Sequence, residues 1–368
     1  MREGPRLEAA GVKCTVAPDG GREIAVVGTE ERDRKSESQY NSKRPKKGDA
    51  WMTNLTFYSA RINGVVDYVD KHLDEQLDFQ RLSSMAYVSP WHFHRLFQAL
   101  TGETLAERVR RRRLESAAVR LLRSPPLTAI QVALEVGFGS AEVFCRGFKS
   151  HFGLTPTQWR QGGFRNWVNE RRSELEAVHR HHYHWAVVED MFQDDEQVRR
   201  GLHRVAANPT TVVEVKPLPK MRVAYLRHVG PYGDPAITRL WERFIAWCGS
   251  RPLFHRGRAI VGVCHDSPDI TLAIQCRYDT CIEVDESFRA QGEIGVQDIR
   301  GGLYACTSFK GTTAEFYPAW LRLFAEWLPQ SAYQLDDRPA VEMYGDPTLV
   351  APQHGGAVCE LCLPVHAL

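Results

Sequence analysis

An internal repeat with an offset of 51 residues places the strongest limit on the fold of this chain. Six positions match in order and without gaps, namely Tyr87 with Phe138, Ser89 with Ser140, Phe93 with Phe144, Arg95 with Arg146, Phe97 with Phe148 and Gly102 with Gly153. Each copy has the pattern of a short helix, a tight turn, a capping serine and a second helix. The duplication predicts an all-α domain that contains two helix-turn-helix units.

Apolar spacing and cap residues predict the helices around the repeat. Tyr58 to Leu73 has one apolar face, Asp78 is a candidate N-cap for a short helix that ends near Met85, and Pro90 to Leu100 is the second helix of the first unit. Between the units, Leu105 to Leu122 predicts one helix of about 18 residues and about 27 Å. Since one turn of DNA is about 34 Å, this spacer is long enough to hold two helices in successive major grooves.

The second helix of each unit divides into a core face and an outer face. Apolar residues at helical spacing predict the core face, with Phe144, Phe148 and Phe152 forming it in the second copy. The outward positions are Trp91, His94, Arg95 and Gln98 in the first copy, and Ala141, Glu142, Val143, Arg146 and Lys149 in the second. An outward arginine suits the major groove, where it bonds guanine O6 and N7 together. A solvated charged face is the alternative for one such helix, but two equivalent copies favour DNA.

Four consecutive arginines, Arg110 to Arg113, lie on the predicted connecting helix. Consecutive helical positions are about 100° apart, so at most two of these side chains meet the same phosphate strand. We expect the others to pair with acidic side chains.

The net charge of +2 does not by itself indicate a nucleic-acid-binding protein. Residues 52–162 carry 14 basic and 10 acidic residues, whereas residues 211–368 carry 15 and 18. The near neutrality therefore averages a mildly basic segment with an acidic one, which favours two domains with different partners.

Composition also indicates the compartment. No apolar run approaches the roughly 18 to 20 residues of a membrane span, and the first 20 residues lack the pattern of a secretory signal. The nine cysteines are odd in number and scattered, which is not typical of a disulfide framework. We expect a cytoplasmic protein with no membrane partner.

Two segments outside the domains have little apolar pattern. Residues 1–51 are rich in Gly, Pro, Ser and charge, and we expect a disordered extension, so that Met52 is a candidate start. The basic stretch from Lys43 to Lys47 is either a DNA contact or a solvated tail. Residues 163–210 are predicted to be a helical linker. The linker histidines are His179, His181, His182 and His184.

Neither these histidines nor the later cysteine pair predicts a metal site. Only pairs of the histidines share a helix face, and no cysteine lies close to them. Cys359 and Cys362 point to opposite faces if they lie in a strand. We expect no metal and no cofactor.

From Thr211 the pattern changes to strands with two helices. Strands are predicted at 212–215, 221–227, 259–265, 272–284, 295–299, 303–309, 340–344 and 358–365, and helices at 235–248 and 313–327. The second set of elements parallels the first, since Gly230 and Gly311 each precede a helix with two tryptophans. A duplicated strand-strand-helix-strand-strand unit predicts an α+β domain with pseudo-twofold sheets and a groove between the halves, where ligands commonly bind.

Five stretches in residues 52–162 carry a family resemblance: Ser89–Phe97, Thr101–Thr104, Gly137–Phe138, Phe144–Lys149 and Gly153–Arg160. They are similar to the AraC/XylS family of bacterial transcription regulators over about 100 residues. The resemblance implies a seven-helix domain with two helix-turn-helix units. It also implies base contacts at Trp91, His94 and Arg95 and at Ala141, Glu142, Val143 and Arg146. Glu142 departs from the family, in which a neutral polar residue is common at this position. An acid repels phosphate and, if it reads a base, prefers the amino group of cytosine.

The predicted strand Ala340–Tyr344 places Glu342 and Tyr344 on one face. A carboxylate on a strand is usually solvated, and the residues alone favour that interpretation. However, the stretches Gly230–Tyr232, Arg338–Pro347 and Cys359–Val365 resemble the GyrI-like effector-binding domain, of the SHS2-type fold, over about 155 residues.

The GyrI-like resemblance implies that Glu342 lies in an aromatic pocket and meets cationic or polar ligands. Tyr344, Tyr225, Tyr304 and Trp320 are the candidate aromatic residues. A desolvated carboxylate beside aromatic faces favours an amphipathic cation, through charge pairing and cation–π contact.

These features together predict a one-component transcription regulator. Residues 52–162 bind double-stranded DNA, and residues 211–368 bind a small-molecule effector that shifts DNA affinity or contact with RNA polymerase. Two alternatives stay open for the C-terminal domain. One is a small-molecule hydrolase in which Glu342 acts as a general base, and the other is a protein-interaction module.

Overall fold

The computed structural model describes residues 12–16, 22–26, 47–123, 126–168, 170, 212–233, 235–251, 253–254, 257–290, 292–312, 315–345 and 357–368. Two compact units are present, residues 1–48 and residues 49–368. The four linker histidines and most of the expected linker lie outside the described residues. In the described ranges, no helix combines the length and the apolar character that crossing a bilayer requires.

The first unit contains a β-hairpin. Strand β1 (Val12–Val16) pairs antiparallel with β2 (Arg22–Val26), with Cys14 opposite Ile24. Disorder is the expectation for residues 1–51, whereas the structure has these two strands there; in Val12–Val16 apolar residues alternate with polar ones, as in a strand. Helix α1 begins at Lys47, before the expected boundary at residue 52.

Seven helices build the domain that the repeat predicted. They are α1 (Lys47–Lys71), α2 (Phe79–Met85), α3 (Pro90–Thr101), α4 (Leu105–Arg120), α5 (Ala129–Glu135), α6 (Ala141–Phe152) and α7 (Pro156–Gln158), with a π-helical turn at Trp159–Gly163. The two copies of the repeat are α2–α3 and α5–α6, so both helix-turn-helix units are confirmed.

Equivalent caps delimit α3 and α6. Ser89 accepts a hydrogen bond from the backbone N–H of His92, and Ser140 accepts one from Val143. Both helices end at a glycine in the left-handed conformation, Gly102 and Gly153, with φ of 77° and 73°. The repeated sequence positions therefore mark the two ends of each helix.

Each helix-turn-helix unit has its own apolar core. The core of the first unit joins α1 to α3 and contains Ile62, Val65, Val66, Val69, Leu82, Ala86, Phe93 and Phe97. The core of the second unit lies between α4 and α6 and is centred on Phe144, Phe148, Phe152 and the fully buried Trp159. Helix α4 is the rigid connection between the two cores.

In its described residues, the C-terminal domain is one antiparallel sheet with two α-helices. The strands are β3 (Glu214–Leu218), β4 (Met221–Val229), β5 (Ile260–Cys264), β6 (Arg277–Glu283), β7 (Gly295–Ile299), β8 (Gly302–Gly311), β9 (Tyr333–Leu335), β10 (Ala340–Tyr344) and β11 (Ala357–Ala367). The helices are α8 (Pro235–Gly249) and α9 (Phe316–Leu321), the latter continued by a π-helical segment to Trp327. Strand β9 was not predicted, and residues 273–275 form a 3₁₀ turn where a strand was expected.

The strand order shows the predicted duplication but corrects the expected arrangement. The order β3-β8-β11-β10-β5-β6-β4-β7 is symmetric about the β10–β5 pair. The first strand of each half crosses to the other half, since β3 pairs with β8 and β7 pairs with β4. The two halves therefore share one continuous sheet rather than forming separate sheets.

The two faces of this sheet have different neighbours. On one face, α8 packs through Trp241 and Phe244, α9 through Ala319, and the π-helical segment after α9 through Leu323. The other face has a smaller apolar cluster that includes Val223, Val263, Cys306, Val341 and Cys362, and it lies beside α1. Cys359 belongs to the helix-covered side and Cys362 to the opposite side, which confirms that they point in opposite directions.

Candidate functional site

The outer face of α3 presents the side chains that the sequence assigned to it. Trp91 is 63% exposed, and the guanidinium of Arg95 lies 4.8 Å from the centroid of its ring. His94 and Gln98 are also exposed, whereas Phe93 and Phe97 are fully buried. The helix therefore carries a polar and aromatic surface on a rigid apolar base.

The outer face of α6 is equivalent in position but different in charge. Glu142, Val143, Arg146 and Lys149 are exposed, and Val143 is 48% exposed. Glu142 lies in the first turn, where the helix dipole stabilises an acid. Eight of the nine residues predicted to contact DNA thus lie exposed on the surface, four on each helix, and Ala141 at the start of α6 is half-buried.

The arginine run on α4 is used mainly inside the protein. Arg111 pairs with Glu103 and Glu115, and Arg112 pairs with Glu115 at 2.8 Å. Arg113 donates to the carbonyl oxygens of Leu73, Glu75 and Gly137, which ties the two helix-turn-helix units together. Arg110 is exposed. The prediction that most of the run pairs internally is confirmed, with carbonyl groups in place of acids for Arg113.

Glu342 lies at the centre of the helix-covered face of the sheet. It is 5% exposed and stands opposite Gly262 of β5 and Leu361 of β11. Its Oε2 accepts hydrogen bonds from the phenols of Tyr278, at 2.5 Å, and Tyr344, at 2.9 Å.

Further neutral groups complete the surroundings of the carboxylate. The Cys264 thiol lies 3.9 Å from Glu342 Oε1, and the Trp320 indole forms a further hydrogen bond to the same carboxylate. Trp241 of α8 donates to the Tyr278 phenol at 3.1 Å. Among the described residues, all the donors that act on Glu342 are neutral, so its charge has hydrogen bonds but no cationic partner.

The environment shifts the pKa of every titratable group at this site in the same direction. Burial raises the pKa of Glu342 above its ordinary value of 4.5, against the hydrogen bonds from Tyr278, Tyr344 and Trp320, which lower it. Burial and the neighbouring carboxylate raise the pKa values of the Tyr278, Tyr344 and Cys264 side chains. The phenols therefore stay protonated and donate, and Glu342 is the acceptor.

Gly262 is necessary for this arrangement. The Tyr278 phenol reaches Glu342 across β5. A Cβ atom at position 262 would overlap both the phenol oxygen and Glu342 Oε2, since neither would be more than 2.5 Å from it. A side chain at this position would separate the two groups. The glycine thus has a role in close approach rather than in backbone conformation.

The structure brings together some of the predicted pocket residues and not others. Tyr344 and Trp320 contact Glu342 as expected. Tyr225 and Tyr304 do not, which corrects the prediction, because both belong to the cluster on the opposite face of the sheet. The Tyr225 phenol instead donates to Asp67 of α1 at 2.6 Å.

Sequence reasoning missed Tyr278, Trp241, Cys264 and Gly262. Alternation within one strand shows which residues share a face, but these contacts depend on the order of the strands in the sheet. In the part of the chain that the structure describes, no group of three or more His, Cys, Asp or Glu side chains is placed to hold a metal ion.

Comparisons with known proteins match both domains. Residues 82–162 match the model of a helix-turn-helix domain, and residues 211–366 match the model of the GyrI-like small molecule binding domain. The Transposon Tn10 TetD protein of Escherichia coli is 37% identical over 123 residues, which are 33% of this chain and 83% of that protein. The regulatory protein SoxS of Salmonella typhimurium is 32% identical over 99 residues, which are 27% of this chain and 92% of SoxS.

One solved structure aligns with most of the length of this chain. The cryo-EM structure of the EcmrR–DNA complex in EcmrR-RPo covers 79% of this chain and 99% of its own, at 14% identity and a TM-score of 0.38.

Proposed function

Because the chain belongs to the AraC/XylS family of DNA-binding transcription regulators and carries a GyrI-like small molecule binding domain, we propose that a cationic, partly apolar effector binds at Glu342 and changes DNA binding by α3 and α6. The observation that carries this proposal is a buried carboxylate whose hydrogen-bond donors are all neutral among the described residues. A buried carboxylate of this kind gains most from a cation that replaces the missing countercharge.

The surroundings of Glu342 favour a cation with apolar groups. The rings of Trp241, Tyr278 and Tyr344 are each at most 6% exposed and form one apolar cluster with α9. Aromatic faces stabilise a cation, and their apolar area favours attached hydrocarbon groups. Trp320 is less buried than these rings, so we place the entry of the effector on its side of the site.

Effector binding at this site requires a change in the protein. The carboxylate, its phenol donors and Trp241 fill the space around one another in the structure. A bound cation therefore competes with the Tyr278 and Tyr344 hydrogen bonds, and the protein has one state with these bonds and another without them. A ligand that prefers the second state shifts the equilibrium toward it.

The proposed DNA contacts are the outward side chains of α3 and α6. Arg95 and Arg146 occupy equivalent positions in the two copies, and each is suited to a guanine in the major groove. Glu142 disfavours phosphate and favours cytosine, so we expect the second unit to contribute less affinity than the first. Contact with RNA polymerase stays a prediction.

Binding of tetraphenylphosphonium, measured by titration calorimetry, tests the effector site. Tetraphenylborate has the same shape and the opposite charge, so it is the matched control ligand. We expect the cation to bind the wild-type protein, the anion to bind at least tenfold more weakly, and Glu342→Gln to lose most of the cation affinity. Equal affinity for both ions, or unchanged cation affinity in Glu342→Gln, contradicts the proposal.

The hydrolase alternative also stays a prediction. The relatives TetD and SoxS belong to a family of regulators, which favours a sensor. Incubation of wild-type protein and Glu342→Gln with an ester probe, followed by chromatography of the products, separates the two functions. Turnover that disappears in Glu342→Gln supports the hydrolase, and binding without turnover supports the sensor.

A further inference from the structure

The segment between β5 and β6, residues 265–276, connects the Glu342 site to the DNA-binding domain, and we call it the docking loop. At one end it follows Cys264, whose thiol lies 3.9 Å from Glu342. At the other end it leads into β6, where Tyr278 hydrogen-bonds the same carboxylate. Both ends of the loop are therefore within two residues of the proposed effector contacts.

The tip of the docking loop is part of the core of the second helix-turn-helix unit. Ile270 is 6% exposed and belongs to the apolar cluster formed by Phe148, Phe152 and Trp159. The Trp167 indole donates to the carbonyl oxygen of Asp269 at 3.1 Å. A residue of the C-terminal domain thus completes the core against which α6 packs.

The base of the docking loop is held by charges from α1 and α4. Asp266 accepts a hydrogen bond from Arg112 of α4 at 2.6 Å and another from the Arg277 side chain at 2.8 Å. Arg277 also pairs with Asp70 of α1, and Arg112 pairs with Asp70 at 3.2 Å. These four side chains, Asp70, Arg112, Asp266 and Arg277, form a buried ion cluster between the two domains.

Strand β6 links this cluster to the effector site through adjacent residues. Tyr278 points to Glu342, whereas Arg277 and Asp279 point to the opposite face, as strand alternation requires. Asp279 binds Arg227, which in turn pairs with Asp67 of α1 at 2.8 Å.

Tyr232 provides a second link between the site and the loop. Its phenol accepts from the backbone N–H of Asp266, and its single O–H lies within donating distance of two carbonyl oxygens, those of Asp266 at 2.9 Å and Arg277 at 2.8 Å. Its ring packs edge-on against Tyr278, with the centroids 6.3 Å apart. A displacement of Tyr278 therefore affects the base of the docking loop from both sides.

We propose that the docking loop transmits effector binding at Glu342 to the second helix-turn-helix unit, with Ile270 as the residue that positions α6. This proposal rests on the proposed function and adds its route. When a cation displaces the Tyr278 phenol from Glu342, the loop moves, Ile270 shifts in the second core, and the orientation of α6 on DNA changes. By linkage, DNA that favours one α6 orientation changes effector affinity by the same factor.

The test compares DNA affinity with and without tetraphenylphosphonium, measured by fluorescence anisotropy on a fragment selected from random sequences. We expect a change of about fivefold or more in the wild-type protein. In Ile270→Ala we expect a change below about twofold, with cation affinity retained. Ile270→Val keeps most of the buried side chain and is expected to restore the effect. Ile274→Ala removes the same type of side chain from a position in the same loop that is 72% exposed, and it is expected to behave as the wild type.

A second measurement does not depend on any effector. Tyr278→Phe removes the phenol that donates to Glu342, and its effect on DNA affinity is measured alone, with Ile270→Ala and with Ile274→Ala. We expect the effects of Tyr278→Phe and Ile270→Ala on the free energy of DNA binding to be non-additive. The effects of Tyr278→Phe and Ile274→Ala are expected to be additive. Thermal unfolding checks that each variant is folded.

The outcomes separate the two proposals. If tetraphenylphosphonium does not bind but the effects of Tyr278→Phe and Ile270→Ala on DNA affinity are non-additive, the proposed class of effector is wrong and the proposed role of the docking loop is retained. If the cation binds and changes DNA affinity equally in the wild type and Ile270→Ala, or if the effects of Tyr278→Phe and Ile270→Ala are additive, the docking loop is not the route.

Discussion

The phenol of Tyr278 donates a hydrogen bond to Glu342 across an intervening strand. The two residues lie on β6 and β10, which are separated by β5 in the sheet, and the contact of 2.5 Å passes over Gly262. The same strand, β6, carries Arg277 and Asp279 on its other face, where they meet charges that connect to α1. One strand therefore touches both the proposed effector site and the DNA-binding domain.

Replacement of Gly262 by alanine tests the close approach of Tyr278 and Glu342. The added methyl group overlaps both side chains, so we expect a loss of about 1 to 3 kcal/mol of stability and a loss of tetraphenylphosphonium binding. Gly64→Ala is the control, because no atom lies within 4 Å of its added Cβ and the residue is inside α1. It is expected to stabilise by up to about 1 kcal/mol. Urea unfolding measures both, and equal effects contradict the role of Gly262.

Arginine-to-alanine substitutions test the DNA contacts of α3 and α6. We expect Arg95→Ala and Arg146→Ala each to cost about 1 to 3 kcal/mol in DNA binding and to relax the sequence preference at one position. Arg243→Ala is the control, since this exposed side chain lies on α8 of the C-terminal domain. Anisotropy titrations at fixed salt measure the affinities. Unchanged affinity and preference in both variants would show that these helices do not contact bases.

The raised pKa of Glu342 predicts a pH-dependent affinity for cations. A cation stabilises the ionised carboxylate, so binding releases a proton wherever the free protein holds Glu342 protonated. We expect the affinity for tetraphenylphosphonium to increase as pH rises from about 4.5 through the raised pKa, and then to become constant. The free protein loses stability over the same range, because ionisation is unfavourable in the folded state. Calorimetry at several pH values tests this, and Glu342→Gln should remove the dependence.

The buried ion cluster predicts that replacing Asp266 destabilises the protein much more than replacing the exposed Asp337. Burial raises the pKa of Asp266, but Arg277 and Arg112 outweigh burial and hold this pKa well below its usual range. Asp266→Asn removes a carboxylate that pairs with both Arg112 and Arg277, so the cluster keeps an uncompensated positive charge, and we expect a loss of about 3 to 5 kcal/mol of stability. Asp337→Asn is the control, because its side chain is 38% exposed in its pairs with Arg120 and Arg300, and we expect at most about 1 kcal/mol.

The pH dependence of this cluster has the opposite sign to that of Glu342. The stabilisation from Asp266 is present above the ordinary pKa of 3.8 and is lost as pH falls below it toward the lowered value. Urea unfolding at neutral and acidic pH measures the difference in the free energy of unfolding between the wild type and Asp266→Asn. This difference should decrease in acid. A constant difference contradicts the assignment.

The repeat predicted the DNA-binding domain well because its information is local. Ser89 and Ser140 cap their helices, Gly102 and Gly153 end them, and helical periodicity separates buried from exposed side chains. These features depend on contacts within a few residues, which a sequence shows directly.

The surroundings of Glu342, the proposed effector site, were predicted only in part because the contacts there depend on the tertiary structure. Alternation placed Glu342 and Tyr344 together correctly, since they lie on one strand. It does not show which face of the sheet the helices cover, so Tyr225 and Tyr304 were placed on the wrong side. Tyr278 and Ile270 depend on strand order and on the docking of two domains, and their sequence positions carry no local signal.

The central claim is that occupation of the Glu342 site changes DNA affinity. The most direct measurement is the DNA affinity of the wild-type protein and of Glu342→Gln, each with and without saturating tetraphenylphosphonium. We predict a change of about fivefold or more in the wild type and none in Glu342→Gln. Tetraphenylphosphonium that binds the wild-type protein but leaves its DNA affinity unchanged would contradict the claim.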